Sequence, residues 1–383
     1  MVKWCILAAA AVVGLAACDD LLSGGDDQAG AVYTMNNSAT ANYVIVMSRS
    51  DDGRLEVMDS VATGGLGSGP DPVFGTDPLT SQDAVILSSD NRLLFAVNAG
   101  SNEVTSFRVG GDGMLTPVSR VSSGGTFPVS LSARNDLLYV VNQKGGGSIS
   151  GFRVANDGTL TPLVGSTRPL SGAANPSPAS VRISPDGGRL VVTEKATNLL
   201  TIYPLDASGL PGTRAAANSP GPTPFGADFD PSGRYILSIG NIGPGRAAVP
   251  DGSSAASLTV TGTSATPING LVPTTETAAC WIQITPDGRY AYTTNTGSGT
   301  VTGFSIGGDG TLTRLTGDGR TGVTGNQTEP LDMAFADGHL YVLTPGDRGI
   351  HVFRVNNNGT LTERPDLGLV LTFPISVTGL AAY

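Results

Sequence analysis

Charged side chains are scarce in this chain of 383 residues. Asp, Glu, Lys and Arg together make up only 14% of it, which argues against a helical or coiled-coil protein. The 22 basic residues are outnumbered by 32 acidic ones, and the net charge is −10. This balance offers no general attraction to nucleic acid or to anionic lipid, so we expect no nucleic-acid partner.

Cysteine and histidine are also rare, with three and two copies. The chain has no Cys or His cluster with zinc-ligand spacing and no glycine loop for phosphate. A Ser-His-Asp triad would have to use His339 or His351. We therefore expect no metal ion and no tightly bound cofactor.

The longest apolar run is near the N-terminus and is too short to cross a bilayer. Lys3 precedes the run, Cys5–Ala17, which ends in a Leu-Ala-Ala-Cys sequence at Cys18. This pattern resembles the bacterial lipoprotein signal, in which cleavage leaves the cysteine as an acylated N-terminus; the alternative is an ordinary secretory signal. We predict a signal peptide over 1–17, lipidation at Cys18, a flexible tether over 18–30 and a lipid-anchored protein of the cell envelope.

Processing at this site would leave Cys280 as the one remaining cysteine besides the lipidated one. A disulfide framework is then excluded, so stability must come from packing. Cys280 occupies a column of apolar residues in the repeats described next, which indicates a buried thiol rather than a nucleophile.

Glycine and proline are abundant, and the chain is repetitive. An Asp-Gly-x-Leu turn, degenerate in two copies, recurs about every 50 residues. Its leucines are Leu55, Leu115, Leu160, Leu210, Leu258, Leu312 and Leu361. Each repeat offers four short strands of alternating polar and apolar residues, the pattern of a propeller blade. We predict an all-β, seven-bladed β-propeller over 31–383, with four antiparallel strands per blade.

The two ends of this region predict how the ring closes. The first repeat begins directly with its second strand, Ala31–Asn37, and lacks an inner strand. A strand of the missing type lies in Phe373–Tyr383. We expect this C-terminal strand to complete the first blade.

The repeat motifs resemble those of a known family. The Ser184–Gly187 and Thr285–Gly288 turns, the Tyr-Val-x-Asn-like strand ends and the Asp-Gly-x-Leu turns are similar to those of the seven-bladed lactonase propellers. That family includes bacterial 6-phosphogluconolactonases and fungal carboxymuconate-lactonizing enzymes. The resemblance covers nearly all of 31–383 and implies hydrolysis or formation of a lactone. Non-enzymatic surface propellers share these motifs, so the motifs identify the fold better than the chemistry.

The chain departs from the lactonase pattern in its histidines. A His commonly follows the Pro that opens an inner strand in that family, and Val129 and Ala179 stand there in the third and fourth blades. His339 replaces an Arg of a hairpin turn, where we expect it to be solvated. His351 replaces a Thr of a third strand. Both are interpreted as scaffold positions.

Comparison of the seven repeats with one another identifies residues that the scaffold does not require. The second strands mostly end in Asn or Thr, but the fourth repeat has Glu194, followed by Lys195. At one position of the inner strands, the fourth, fifth and sixth repeats have Arg182, Asp228 and Gln283. Inner strands border the central channel of a propeller, so these side chains are predicted to face one space.

Three more outliers belong to the same region. Trp281 and Asp332 lie two residues earlier in the inner strands of the sixth and seventh repeats. Asp83 breaks the pattern at the start of the second repeat's inner strand, where it is either a functional carboxylate or a cap of the preceding loop. Together with the previous set, they predict a polar pocket of mixed charge at one mouth of the channel.

Two interpretations of this pocket are open. In the first, Arg182 and Asp228 form an ion pair between blades and the channel is merely hydrated. In the second, Arg182 binds a carboxylate or lactone oxygen and Glu194 is the general acid or base, with Asp228 as the third catalytic residue. The substrate would then contact Lys195, Gln283, Trp281, Asp332 and Asp83.

Two functions follow from these interpretations. The first is a lactonase or lactonizing cyclase that acts on a small lactone or carboxylate in the cell envelope. The second is a non-catalytic propeller lipoprotein whose loops bind a small ligand, a polysaccharide or an envelope protein. An export signal makes a cytosolic sugar phosphate an improbable substrate for the first.

Overall fold

The computed structural model describes residues 28–383, except residues 74, 244, 246 and 371. Within these residues all regular elements longer than a turn are β-strands, arranged in seven antiparallel sheets. The predicted seven-bladed propeller with four strands per blade is therefore confirmed. The predicted signal peptide, Cys18 and most of the tether lie outside the described residues.

The first three blades are built as follows. Blade 1 consists of β1 (Gln28–Met35), β2 (Tyr43–Ser50), β3 (Leu55–Ala62) and the last strand of the chain, β31 (Thr378–Ala382). Blade 2 consists of β4 (Val85–Leu87), β5 (Leu93–Asn98), β6 (Glu103–Val109) and β7 (Leu115–Ser122). Blade 3 consists of β8 (Thr126–Arg134), β9 (Leu137–Lys144), β10 (Ser148–Val154), β11 (Leu160–Pro162) and β12 (Arg168–Pro169).

The remaining four blades repeat this order from the inner strand outward. Blade 4 consists of β13 (Pro178–Ile183), β14 (Arg189–Glu194), β15 (Leu199–Pro204) and β16 (Ala215–Asn218). Blade 5 consists of β17 (Pro224–Phe229), β18 (Arg234–Ile239), β19 (Ser254–Thr261), β20 (Ser264–Pro267) and β21 (Val272–Pro273). Blade 6 consists of β22 (Ala279–Ile284), β23 (Tyr290–Asn295), β24 (Thr300–Ile306), β25 (Leu312–Arg314) and β26 (Gly322–Val323). Blade 7 consists of β27 (Met333–Ala336), β28 (His339–Thr344), β29 (Gly349–Val355) and β30 (Leu361–Glu363).

The hydrophobic core lies between neighbouring blades. Middle strands are buried on both faces, as in β5, whereas the outermost strands are mostly exposed, as in β3. In blades 3, 5 and 6 the outermost strand is split into two short segments that pair with the same third strand. The part of the chain that the structure describes contains no helix with the length and apolar character needed to span a membrane.

Buried tyrosines connect each of several blades to the next and explain the recurring Asp-Gly turn. The Tyr33 hydroxyl of blade 1 donates to the Gly113 carbonyl of blade 2 at 2.7 Å, and Tyr139 donates to Gly209 of blade 4 in the same way. Gly113 and Gly209 have φ values of 73° and 69°, a conformation that glycine adopts without a steric penalty. The turn therefore presents a carbonyl oxygen to the neighbouring blade.

The ring closes through β31, as predicted. β31 pairs with β1 with Val32 opposite Ala382, and the Tyr383 N–H donates to the Ala31 carbonyl at 3.1 Å. Arg49 of β2 is 1% exposed, pairs with Asp337 of blade 7, and donates through Nε to the Tyr383 carbonyl at 3.0 Å. β1 begins at Gln28, so residues 28–30 of the predicted tether belong to the first blade.

Candidate functional site

A segment of the blade 1–blade 2 connection, Leu79–Asp83, lies across the central channel and is called the plug here. Ser81 Oγ donates to the Val129 carbonyl of blade 3 at 2.8 Å. The Gln82 N–H donates to the Ala179 carbonyl of blade 4 at 2.9 Å. The side chains of Ser81 and Gln82 are almost completely buried. A segment that bonds to several inner strands at once must fill the channel that they surround.

The opposite side of the channel holds the plug through blades 5 and 6. The Gln82 amide exchanges two hydrogen bonds with the backbone of Ile282, with its Nε2 at 2.9 Å from the carbonyl and its Oε1 at 3.0 Å from the N–H. Trp281 Nε1 donates to the Ser81 carbonyl at 2.9 Å. At Gly226 a Cβ atom would lie 2.1 Å from Gln82 Oε1, so this close approach requires glycine.

Trp281 is therefore a partner of the plug. Its side chain is 1% exposed and packs against Phe225 with ring centroids 4.8 Å apart. A side chain in this environment does not present an apolar wall to a ligand. Its predicted contact with substrate has no support in this geometry.

The predicted charged residues come together beneath the plug. Arg182 Nη2 is 2.8 Å from Asp83 Oδ2, and Arg182 Nε is 3.4 Å from Asp228 Oδ1 and donates to the Ala227 carbonyl at 2.8 Å. Asp332 Oδ2 accepts the Asp83 N–H at 3.0 Å. The ion pair between Arg182 and Asp228, the first of the two interpretations, is thus present, with Asp83 as a second carboxylate.

Burial controls the protonation of this cluster. It raises the pKa of Asp83 to about 7, although the Arg182 guanidinium opposes the shift. Burial, followed by the charge of Asp83, raises the pKa of Asp332 well above its ordinary value. The two carboxyl groups therefore favour a state in which they retain a proton that an exposed aspartate would lose.

Glu194 is separate from this cluster. Its side chain is completely buried, and its carboxylate accepts hydrogen bonds from the Ser171 N–H at 2.9 Å, Thr201 Oγ1 at 2.5 Å and Thr197 Oγ1 at 2.9 Å. All of these partners belong to blade 4 or to the loop before it. The structure does not bring Glu194 together with Arg182.

A cavity of about 940 Å³ opens on the other side of the plug. Arg182, Asp228 and Gln283 are all the penultimate residues of their inner strands, whereas Thr223 and Ala278, which line the cavity, precede such strands. The cavity thus lies where the inner strands begin, and the Arg182 cluster lies toward their ends. We call it the entry cavity.

Lys195 is the one predicted site residue that lines the entry cavity. Its Nζ donates to the carbonyl oxygen and, at 3.0 Å, to Oγ1 of Thr80, which belongs to the plug. The same ammonium group lies 4.8 Å from the centroid of the Phe225 ring. Lys195 is therefore oriented by the plug and by an aromatic ring at the wall of the cavity.

Two carboxylates, Glu329 and Asp77, share this cavity with Lys195. Thr76 Oγ1 donates to Glu329 Oε2, which connects the chain just before the plug to the loop that precedes β27 of blade 7. Cys280 also lines the cavity but is 4% exposed, in agreement with a buried thiol. Within the described residues, no group of His, Cys, Asp and Glu side chains is arranged to hold a metal ion.

Neither histidine lies in the channel. His339 is 8% exposed and lies beneath the Gly53 turn of blade 1, with its ring 6.4 Å from that of Tyr341. The expected solvated turn is thus wrong for His339, because the neighbouring blade covers it. His351 Nε2 is 2.8 Å from Asp347 Oδ2, and its Nδ1 is 3.3 Å from Glu363 Oε1.

Comparison with known proteins identifies the family. The family model described as "Lactonase, 7-bladed beta-propeller" matches residues 31–168 and 81–367. The chain belongs to this lactonase family. A search of curated proteins found no match.

Solved structures share the fold of this lactonase-family propeller. A periplasmic gluconolactonase of Pseudomonas aeruginosa is 18% identical with a TM-score of 0.68, and the alignment covers 91% of this chain and 98% of that one. A candidate 6-phosphogluconolactonase of Bacteroides fragilis is 19% identical with a TM-score of 0.68, over 92% and 98% of the two chains. A protein of Lactobacillus plantarum is 18% identical with a TM-score of 0.69, over 92% and 99%. At these identities the similarity shows the fold.

Sequence comparison of the repeats missed most of the entry cavity of this lactonase-family chain. Thr80, Phe225, Asp77 and Glu329 were not identified as site residues. One signal was available, because the step from Leu55 to Leu115 is 60 residues, longer than the other steps of the repeat. That step contains the plug and Asp77.

Proposed function

We propose that this protein is a lactonase whose reaction takes place in the entry cavity, on a small lactone or on the matching hydroxy acid. One observation carries the proposal: the ammonium group of Lys195 and the carboxylates of Glu329 and Asp77 line a single cavity of about 940 Å³. A volume in this range fits a small organic molecule. The membership in the lactonase family supports the reaction class.

The chemistry requires a polarised carbonyl and an activated water. Lys195 donates a hydrogen bond to the lactone carbonyl oxygen and stabilises the negative charge that develops there. Glu329 accepts a proton from the attacking water, whose oxygen bonds to the carbonyl carbon. The ring C–O bond then breaks, the protonated Glu329 returns its proton to the alkoxide oxygen, and a hydroxy acid is released; the reverse sequence forms the lactone.

The sequence-based assignment of catalytic roles to Arg182, Asp228 and Glu194 is replaced in this proposal. Arg182 is a positioning residue, because it contacts the plug through Asp83 and does not line the entry cavity. Asp228 is a positioning residue too, because it pairs with Arg182. Glu194 stabilises blade 4. Gln283 is half-buried below the plug, and Asp332 accepts a hydrogen bond from the plug. Neither therefore contacts the substrate directly.

We further propose that the protein acts in the cell envelope, held by a lipid anchor on Cys18. The Leu-Ala-Ala-Cys sequence supports this location. The periplasmic gluconolactonase of Pseudomonas aeruginosa is a propeller of similar fold in the periplasm, which also supports this location. An envelope location favours a lactone of the periplasm or exterior as substrate.

A second candidate function is ligand binding without catalysis. It is favoured by the apolar part of the entry cavity, in which Phe225, Ile242 and Cys280 occupy the wall. Val129 and Ala179 hold the positions at which lactonases commonly have a histidine, and both are completely buried. Such a site could retain a small carboxylate on Lys195 without turning it over.

Turnover of a lactone panel, measured with the purified protein, tests the proposal. Lys195→Met should reduce kcat/KM by about 100-fold through loss of the oxyanion donor, and Glu329→Gln by a similar factor. Lys144→Met is the matched control, since Lys144 also lies over an aromatic ring, at 3.9 Å from Phe127, but outside the cavity.

Calorimetric binding of the hydroxy acids separates the two functions. Binding that Lys195→Met abolishes, without turnover of any lactone, favours the non-catalytic function. Turnover that both cavity variants leave unchanged contradicts the proposed site.

A further inference from the structure

A second cavity lies on the outer side of the ring, between blades 3 and 4. It has a volume of about 400 Å³ and shares no lining residue with the entry cavity. One wall is the short strand β12, with Arg168 and Pro169, and the other is the Pro211–Arg214 segment that precedes β16. We call it the arginine groove.

The two guanidinium groups of this groove have no carboxylate partner among the described residues. Arg168 donates to the carbonyl of Thr167 at 3.0 Å, whereas the partly buried Arg214 has no hydrogen bond in the described part of the chain. By contrast, ten other arginines of that part form ion pairs. Arg168 and Arg214 thus place two cations without a carboxylate partner on the walls of one cavity, an arrangement that can bind an anion.

The shape of the groove is held by hydrogen bonds that do not involve the arginines. The buried Tyr203 hydroxyl of blade 4 donates to the Pro169 carbonyl of blade 3 at 2.5 Å, which joins the two walls. The Gly212 N–H donates to the Pro204 carbonyl at 2.8 Å, which fixes the opposite segment. The arginines therefore line a cavity that exists before any ligand binds. The walls need not become ordered on binding, so this entropic cost is small.

We propose that the arginine groove binds a small molecule that carries an oxyanion, a phosphate or a carboxylate, on a body the size of a monosaccharide. Guanidinium groups form paired, charge-assisted hydrogen bonds with both kinds of oxyanion. The volume exceeds that needed for the oxyanion alone and falls within the usual range for ligand pockets. Charge neutralisation of Arg168 and Arg214 supplies the affinity.

Isothermal titration calorimetry with inorganic phosphate, glucuronate and glucose tests this site in the wild-type protein. We expect phosphate and glucuronate to bind, with an affinity that falls as salt is raised, and glucose not to bind. Arg214→Gln should weaken binding by about tenfold or more, and the Arg168→Gln/Arg214→Gln double variant should abolish it.

Two controls identify the site. Arg134→Gln should leave binding unchanged, because Arg134 is also partly buried without an ion pair but lies outside both cavities. Lys144→Met should also leave it unchanged, because Lys144 carries the same charge as the arginines but lines neither cavity. Absence of binding by both anions, or equal binding by the double variant, overturns the proposal.

Discussion

Glu194 differs in type from the residues at the equivalent position of the other blades, but it has the same structural role. In blade 2, Asn98 Nδ2 donates to Thr105 Oγ1 at 2.9 Å, and in blade 6 Asn295 donates to Thr302 at the same distance. In blade 4 the bond is reversed, because Thr201 Oγ1 donates to Glu194 at 2.5 Å. The position of the side chain is thus conserved among the blades of this chain, although its chemical type changes.

Substitutions at Glu194 distinguish a structural from a catalytic carboxylate. Glu194→Gln can still accept from Ser171 and Thr201, so we expect a loss of about 1 kcal/mol in the free energy of unfolding and little change in lactone turnover. Glu194→Leu leaves those buried donors without an acceptor and should lose about 3 kcal/mol or more. Urea unfolding measures both. A Glu194→Gln variant of normal stability that has lost turnover would restore the sequence-based assignment of Glu194 as general acid or base.

Comparison of the repeats identified the charged residues of the channel but not the apolar residues of the entry cavity, and the reason is physical. It found Arg182, Asp228, Asp83 and Asp332, and the structure brings all four together. It could not find Phe225, which lies in a column of apolar residues and looks like ordinary core. A column records which residue types differ. Contacts across the channel join residues of different repeats, as with the bond between Trp281 and Ser81, which are 200 positions apart in sequence.

The plug was not predicted as an element, since it belongs to no repeat. Its conformation is unusual in two non-glycine residues with positive φ, namely Thr80 at 50° and Asp83 at 65°, and Asp77, two residues before it, has a φ of 48°. Such conformations are unfavourable in isolation and persist where surrounding contacts compensate for them. Here the compensation comes from hydrogen bonds to blades 3, 4, 6 and 7.

The buried carboxyl group of Asp83 in the plug predicts a pH dependence of stability. The pKa of Asp83 is about 7 in the folded protein, against about 3.9 for an unfolded aspartate. The folded state therefore holds a proton that the unfolded state releases, and this contribution is fully present below about pH 4 and is lost as the pH rises to about 7. Arg182, Asp228, Asp332 and Tyr235 are the ionisable groups around it.

Asp83→Asn should flatten this part of the profile of unfolding free energy between pH 4 and 7. Asp157→Asn is a control, because Asp157 lies on an exposed turn where hydrogen bonds from Thr159 lower its pKa. The contribution of Asp157 to stability is lost only as the pH falls below the pKa of an ordinary aspartate. The profile between pH 5 and 7 should therefore not change. An Asp83→Asn profile parallel to that of the wild type contradicts the assignment.

The ring of seven blades was predictable because each blade needs a similar turn, and these turns recur in the sequence at a regular spacing. A recurring Asp-Gly turn indicates the number of blades, and the tyrosine bonds to Gly113 and Gly209 give the physical reason for its recurrence. The closing strand followed from the same logic, since the first repeat lacks an inner strand. Nothing in this periodicity describes the segment that fills the channel, because that segment belongs to no repeat.

Closure by β31 predicts the effect of a C-terminal deletion. Removal of Thr378–Tyr383 takes away the inner strand of blade 1 and the acceptor of Arg49, and exposes the edge of β1. We expect loss of the cooperative unfolding transition in circular dichroism. Glu56→Ala, in the exposed outer strand of the same blade, should change the unfolding free energy by no more than about 0.5 kcal/mol. A truncated protein that unfolds like the wild type would contradict this role of the closing strand.

The position of the plug also determines how reactant and product enter and leave the entry cavity. A propeller with an open axis could pass a molecule from one side to the other. In the proposed reaction the plug blocks that path, so a reactant that arrives over Lys195 must leave by the route it used. Product and unreacted lactone then compete for one entrance, and inhibition of turnover by the hydroxy acid is expected to be competitive.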